Sequence, residues 1–320
     1  MVLLSIIVPI YNTANYVEEC VESLLNQDLE DMEIICINDG STDSSLSIIN
    51  SLAAKHQQIQ VYSQVNHGLS YTRNKGVELS SGKYIYFMDS DDVLSPNALG
   101  YIVKQMEDKN LDLYTFDAES FIDGDIPYNN EFDYKRKISY GEYKAGENLF
   151  DELVKNNEFT PTACLFVTKA ELINKYHLKF LNGILHEDEA FTPELFLVAK
   201  KSMHENFTFF NRRIRPNSIM TKKKTFKNFE GYYTVFMYLY RLYYQHNNPY
   251  ALKIRLAIIL DYALTAYNSL SHEEQEYYRE YNQKVKLIGK QEKYFIRGFW
   301  FKYNSILSNL IFKLVSYLRK

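Results

Sequence analysis

The sequence predicts an α/β protein built on a mostly parallel, Rossmann-like sheet and followed by an α-helical C-terminal region. Short apolar runs of strand length alternate with stretches of helical period over the first hundred residues. Acidic turns follow the second and fourth of those runs, at the sheet edge where parallel α/β proteins bind ligands. From Phe226 onward the apolar residues recur only at helical spacing.

Each element has its own warrant. Leu4-Ser5-Ile6-Ile7-Val8 and residues 32–37 are apolar runs that end in turn formers, as buried strands do. Between them Tyr16, Val17, Cys20, Val21, Leu24 and Leu25 mark a helix, with Asn12, Thr13 or Asn15 available as N-cap. Leu46, Ile49 and Leu52 mark a second helix, residues 59–63 a third strand, Leu69–Leu79 a third helix and residues 83–88 a fourth strand. This alternation implies right-handed crossovers. Further on, residues 111–116 read as a strand and 122–143 as an aperiodic surface excursion over the acceptor side. Residues 148–154, 169–176 and 190–199 read as helices. Pro216 and Lys222-Lys223-Lys224 then interrupt the pattern and divide residues 1–220 from a helical 221–320, with no internal repeat.

At 320 residues, with 46% apolar and 24% charged, the chain is long enough to bury a sizeable core. A net charge of −4 and a pI near 6.0 argue against general nucleic-acid binding. Cys20, Cys36 and Cys164 are odd in number and lack a C-x-x-C, which indicates neither a disulfide framework nor a zinc site and favours a reducing compartment. Residues 1–10 lack a basic leader region and run straight into Pro9-Ile10-Tyr11-Asn12, so they read as a strand rather than a signal peptide. No apolar stretch reaches the roughly 18 residues that a bilayer requires. The 28 Tyr and 20 Phe against 12 Gly fit membrane-edge or sugar contacts, and equally the codon usage of an AT-rich genome.

Asp89-Ser90-Asp91-Asp92 is the sharpest local feature. Three carboxylates within four residues repel one another, and a hard cation such as Mg²⁺ or Mn²⁺ neutralises them. The competing reading is a helix cap, with Asp92 or Ser95 opening a helix that Pro96 begins.

Five motifs in this order resemble the family 2 glycosyltransferases of the GT-A fold, over residues 3–220. They are Ser5-Ile6-Ile7-Val8-Pro9-Ile10-Tyr11-Asn12, Asn38-Asp39-Gly40-Ser41-Thr42-Asp43, and Asn66-His67-Gly68-Leu69-Ser70 with Arg73-Asn74. Asp89-Ser90-Asp91-Asp92 with its DXD pattern, and His186-Glu187-Asp188-Glu189, complete the set. The resemblance implies a nucleotide-sugar-binding GT-A domain that transfers a sugar with inversion. The donor it implies is a nucleotide-diphospho-sugar, foremost a UDP-sugar, and the cofactor Mn²⁺ or Mg²⁺. As acceptor it implies a hydroxyl of a glycan or lipid-linked oligosaccharide, in bacterial cell-surface polysaccharide synthesis at the cytoplasmic face of the membrane. A catalytically silent partner subunit of a synthase complex is the alternative, and the intact Asp39, Asp91 and Asp188 count against it. A nucleotidyltransferase is disfavoured because no Gly-rich, Lys/Arg-bearing loop follows the first strand.

The same resemblance distributes roles. Pro9 and Tyr11 wall the nucleobase pocket, and Asp39 accepts the N3–H of uracil or else fixes its own turn. Asp89 reaches the ribose or diphosphate and joins Asp91 at the metal, while Arg73 clamps phosphate. His67 is unassigned. Asp188, with Glu187 second, takes the acceptor proton as the hydroxyl attacks. In Arg212-Arg213-Ile214-Arg215-Pro216-Asn217-Ser218-Ile219-Met220 an Arg or Ser approaches the diphosphate, with Arg215 and Ser218 as candidates; the sequence does not say which arginine does so, and all three also fit surface charges.

The tail, residues 290–320, sets Lys290, Lys293, Arg297, Lys302, Lys313, Arg319 and Lys320 against Glu292 alone. Phe299, Tyr303, Ile306, Leu310, Leu314 and Tyr317 form an apolar stripe along it. Such a helix either lies on an anionic membrane surface or packs its stripe on its own domain or a second subunit. The concentration of positive charge in an acidic protein favours the membrane.

Overall fold

The structure, a computed structural model, describes residues 2–124, 134–215, 225–247 and 249–291. The chain forms two compact units, Met1–Gly183 with Glu187–Lys222, and Ile184–His186 with Lys223–Lys320.

The first unit is a mixed sheet with helices on it. Its strands are β1 (Leu4–Ile10), β2 (Met32–Asp39), β3 (Ile59–Gln64), β4 (Tyr84–Phe87), β5 (Val93–Leu94), β6 (Leu113–Ile122), β7 (Gly141–Tyr143), β8 (Phe166–Lys169) and β9 (Ser202–Ile214). They lie in the order β3-β2-β1-β4-β8-β6-β9-β5, with β7 beside β9. The helices are α1 (Val17–Leu25), α2 (Ser45–Ala53), α3 (Leu69–Leu79), α4 (Ala98–Lys109), α5 (Gly146–Lys155), α6 (Ala170–Tyr176) and α7 (Asp188–Val198). Strands β3, β2, β1 and β4 are parallel, with Ile6 opposite Ile34 on one side and Tyr86 on the other. Every residue of β1 and β2 is buried, which is why both read as unbroken apolar runs.

The other half of the sheet departs from the sequence reading. β8 runs antiparallel to both β4 and β6, while β9 runs parallel to β6 and antiparallel to β5 and β7. Neither β8 nor β9 was legible. β8 is four residues long and merges with the helical pattern that follows it. β9 mixes His204, Glu205, Asn206, Asn211, Arg212 and Arg213 among its apolar residues, because several of these serve neighbouring loops. Helix α4 begins at Ala98, and its N-cap is Asn97 in the left-handed region at φ 60°. Pro96 therefore lies before the helix, and neither Asp92 nor Ser95 caps it. The expected caps of α1 are also engaged elsewhere. The Asn12 N–H donates to Ser41 Oγ and its side chain accepts from the Thr42 N–H, tying the loop after β1 to the loop after β2.

The core on one face joins Ile6, Val8, Val21, Leu24, Ile102 and Met106. On the other face α3 crosses β1 at Gly76, where an added Cβ would stand 2.2 Å from Ile7 Cγ2. Cys20, Cys36 and Cys164 are buried free thiols, and burial pushes Cys36 up to about 12.

The second unit is helical: α8 (Phe226–Gln245), α9 (Tyr250–Asn268), α10 (His272–Tyr277) and α11 (Arg279–Gln291). Thr225 and Asn228 form a capping box on α8, and Ser271 and Glu274 another on α10. α8 packs on α9, where Phe229 meets Tyr267 and Tyr232 meets Tyr262. Among the described residues no helix is long and apolar enough to cross a membrane. The basic tail lies outside the described residues from 292 onward.

Gly76→Ala should cost about 1–3 kcal/mol, because the methyl forces Ile7 off its position in a packed interface. Urea denaturation monitored by circular dichroism measures this directly.

Candidate active site

The loops after β1, β2 and β4 carry the predicted donor-side residues. Pro9 is buried within β1 and Tyr11 just beyond it is half exposed. Asp39 ends β2 and is buried. Its Oδ1 accepts from Gln64 Nε2 at 2.9 Å and from the His67 N–H at 2.8 Å, and its Oδ2 accepts from the Gly68 N–H at 2.8 Å. Asp39 thus fixes the 66–68 loop, while Oδ2 keeps capacity for another donor. The His67 ring lies tilted against Tyr71, with centroids 4.5 Å apart.

The acidic turn after β4 is braced at each residue. Asp89 Oδ1 accepts from Arg73 Nη2 at 2.8 Å, and Asp91 Oδ2 from Arg215 Nε at 2.7 Å. Ser90 Oγ accepts from the Thr13 hydroxyl at 3.1 Å. Asp92 is buried and accepts from the Arg213 N–H at 2.6 Å. Burial, with Asp91 and Asp89 beside it, pushes the Asp92 carboxyl well above the usual range. Asp89 and Asp91 remain partly exposed.

Arg73 on α3 connects this turn to the acidic pair. It is 4% exposed, and its Nη1 meets Glu187 Oε1 at 2.7 Å while Nη2 holds Asp89. The Phe180 ring lies 5.2 Å from its guanidinium carbon. Next to it, Asn74 takes the Phe180 backbone at both ends: Nδ2 donates to the carbonyl at 2.8 Å and Oδ1 accepts from the N–H at 2.9 Å. This pins the segment that leads toward α7. Glu187 is the N-cap residue of α7 and Asp188 its first residue. Burial, reinforced by Glu187 and Glu189, raises Asp188 to about 8 against the opposing pull of Arg73.

Arg73, Asp89, Glu187 and Asp188 therefore form one cluster, joined through the turn to Asp91 and Arg215. Pro9, Tyr11 and Asp39 sit at the neighbouring strand ends. Ser218 lies outside the described residues. Arg73 is not the free fork that a phosphate clamp needs; both of its terminal nitrogens already hold carboxylates. Arg213, Asn74, Gln64 and Tyr134 had no role in the sequence reading. Tyr134 packs against Arg212 with 5.2 Å from guanidinium carbon to ring centroid, and its phenol is pushed up to about 12, chiefly by burial. Asn74 and Arg213 left a signal, as members of the Arg73-Asn74 and Arg212-Arg213-Ile214-Arg215 segments.

Among the described residues no group of three or more His, Cys, Asp or Glu side chains is arranged to hold a metal by itself. The donor set on the turn is all oxygen, with Asp89 and Asp91 each using one carboxylate oxygen on an arginine. That suits a hard divalent cation which takes one or two carboxylates and completes its shell from phosphate and water.

Residues 5–175 match the family model described as "Glycosyl transferase family 2". The chain belongs to that family. This glycosyltransferase is 31% identical over 227 residues to the glycosyltransferase GlyG of Streptococcus pneumoniae serotype 4, covering 68% of this chain and 73% of GlyG. It is 40% identical over 129 residues to the chondroitin synthase of Pasteurella multocida, covering 40% of this chain and 13% of that protein. Among solved structures it resembles S. aureus TarS in complex with UDP-GlcNAc, with a TM-score of 0.65 at 20% identity, over 82% of this chain and 73% of the TarS chain. The glycosyltransferase thus has the GT-A fold.

Arg73→Met should destabilise the protein by about 3 kcal/mol, since it leaves the buried Glu187 carboxylate without its partner. Denaturant unfolding measures the loss, and Arg73→Lys should restore only part of it because one ammonium cannot reproduce the two-way fork.

Proposed function

We propose that this glycosyltransferase moves a sugar, with inversion, from a UDP-sugar to a hydroxyl of a glycan or lipid-linked oligosaccharide in bacterial surface-polysaccharide synthesis. The observation that carries the reading is Arg73, which holds Asp89 on the donor side and Glu187 on the acceptor side with one buried guanidinium. Residues 1–220 are the transfer domain in this reading, and 221–320 a helical domain whose basic tail rests on the inner face of the membrane.

Inversion needs one displacement and one base. Asp188 is that base: Glu187 is committed to Arg73, whereas Asp188 has a proton affinity matched to working pH and can take the acceptor proton as its oxygen attacks. Pro9 and Tyr11 enclose the nucleobase, and the remaining acceptor capacity of Asp39 Oδ2 reads the N3–H of uracil. A base that offers no donor there would forgo the second bond to Oδ2, which already accepts from the Gly68 N–H, and would lose that bond's contribution to affinity. Asp91 and Asp89 hold Mn²⁺ or Mg²⁺, which when bound supplies charge stabilisation to the departing diphosphate. Arg215, one ion pair away on Asp91, lies within reach of the same phosphates. The TarS complex with UDP-GlcNAc supports a nucleotide-sugar donor, and the synthase relative supports the polysaccharide class.

Two measurements test this. UDP with Mn²⁺ should raise the melting temperature, with GDP, CDP and dTDP giving smaller shifts and omission of the metal weakening the effect. No shift with any nucleotide would remove the donor reading. Asp188→Asn should retain UDP binding and lose transfer by roughly 10²- to 10⁴-fold. Because Asp188 must be deprotonated to act, wild-type kcat/KM should fall as pH drops below about 8, approaching tenfold per unit. Transfer that survives in Asp188→Asn would exclude Asp188 as the base.

A further inference from the structure

Residue 213 grips the acidic turn twice. Its backbone N–H donates to Asp92 Oδ1 at 2.6 Å, and its side-chain Nε donates to the Asp91 carbonyl at 2.9 Å. The guanidinium lies between two rings, its carbon 5.1 Å from the Tyr16 centroid and 4.6 Å from that of Phe121. Nη1 pairs with Asp123 at 3.2 Å and Nη2 pairs with Glu19. The side chain is 7% exposed and is held by α1, β6, the loop after β6 and the turn itself. Arg215 differs. It is 21% exposed and reaches the carboxylate of Asp91 through Nε.

A fixed positive charge beside a cation site has two opposed effects. By Coulomb's law it repels an incoming cation, so its removal should tighten cation binding. By holding the backbone it keeps mutually repelling carboxylates aimed at one point, so its removal should weaken binding. For Arg213 the first effect is small, because Glu19 and Asp123 already neutralise the guanidinium on the side away from the turn. The second rests on the side chain's bond to the Asp91 carbonyl and its burial between Tyr16, Phe121, Glu19 and Asp123, since the bond to Asp92 comes from the backbone.

We infer that Arg213 is a positioning residue whose side chain, through the Asp91 carbonyl, keeps the acidic turn in the arrangement that receives the divalent cation, while its backbone N–H holds Asp92. The inference rests on the reading of Asp91 as a metal ligand given above. It also separates the arginines of the 212–215 segment: Arg213 shapes the cation site, and Arg215 is the charge that competes with the cation for Asp91.

Binding of Mn²⁺ alone, without nucleotide, tests this when free Mn²⁺ is followed by electron paramagnetic resonance. Arg213→Lys keeps the charge and loses the fork, so Coulomb repulsion is unchanged and any loss of affinity reports positioning. It should weaken Mn²⁺ binding about tenfold, and Arg213→Met should do the same or more. Arg215→Met should instead tighten binding, because it removes a competitor from the Asp91 carboxylate. In transfer assays Arg213→Lys should raise the Mn²⁺ concentration needed for half-activation while kcat at saturating Mn²⁺ stays near wild type. If Arg213→Met fails to fold by circular dichroism, Arg213→Lys carries the test. Wild-type affinity in Arg213→Lys, or tighter binding in a folded Arg213→Met, overturns the positioning role and leaves the metal reading intact. If the wild type binds no Mn²⁺ alone, the same series is read with UDP present, and absence of Mn²⁺ binding there overturns both.

Discussion

One buried guanidinium organises the candidate site. Arg73 pairs with a carboxylate 16 residues ahead in sequence and with another 114 residues ahead. A charge at that depth is costly unless paired, and each partner left alone would be costly too, so the three groups are stable only together. Their mutual need fixes the start of α7 against the turn after β4. Asp188, one residue beyond Glu187, is raised by burial and by the two carboxylates that flank it, against the pull of Arg73.

The remaining pins are of two kinds. Arg213 and Arg215 brace the acidic turn from β9 and the residue just past it, the first through backbone and buried head, the second through a partly exposed ion pair. Neutral or capping-type contacts hold the rest: Asn74 clips the Phe180 backbone, Asp39 collects the N–H groups of the 66–68 loop, and Asn12 joins the first two loops. Rigid elements therefore present the site, while short polar side chains set the loop geometry between them.

Strands β1, β2 and β4 were legible because they are covered on both faces, and a covered strand must be largely apolar. The acidic residues of the site were legible for a related reason. Asp39, Asp89 and Asp91 follow such strands directly, so their address on the sheet edge comes with them. Strand β9 defeated the same logic. Its Arg212, Arg213 and Asn211 stand where an apolar period would have marked a strand, since they bind groups on other elements. The division of labour among the arginines was equally hidden, for it depends on burial and partners, not on spacing. Helix starts misled for a third reason: Asn12 and Thr13 had the chemistry of caps but are used to stitch loops together.

Strand β9 has a consequence for the order in which the molecule is made. The donor-side half of the sheet and the acidic turn lie within the first hundred residues, yet the bonds from Arg213 and Arg215 to that turn span 121 to 124 residues. On a ribosome the turn emerges long before Arg213 and Arg215 exist, with Arg73 alone opposing its negative charge. Closing so long a loop is entropically slow, and the pairing of β9 with β6 brings the braces home as part of the same event. The earliest-made part of the pocket is thus the last to be finished, and a nascent chain lacking β9 would have a sheet without a competent acidic turn.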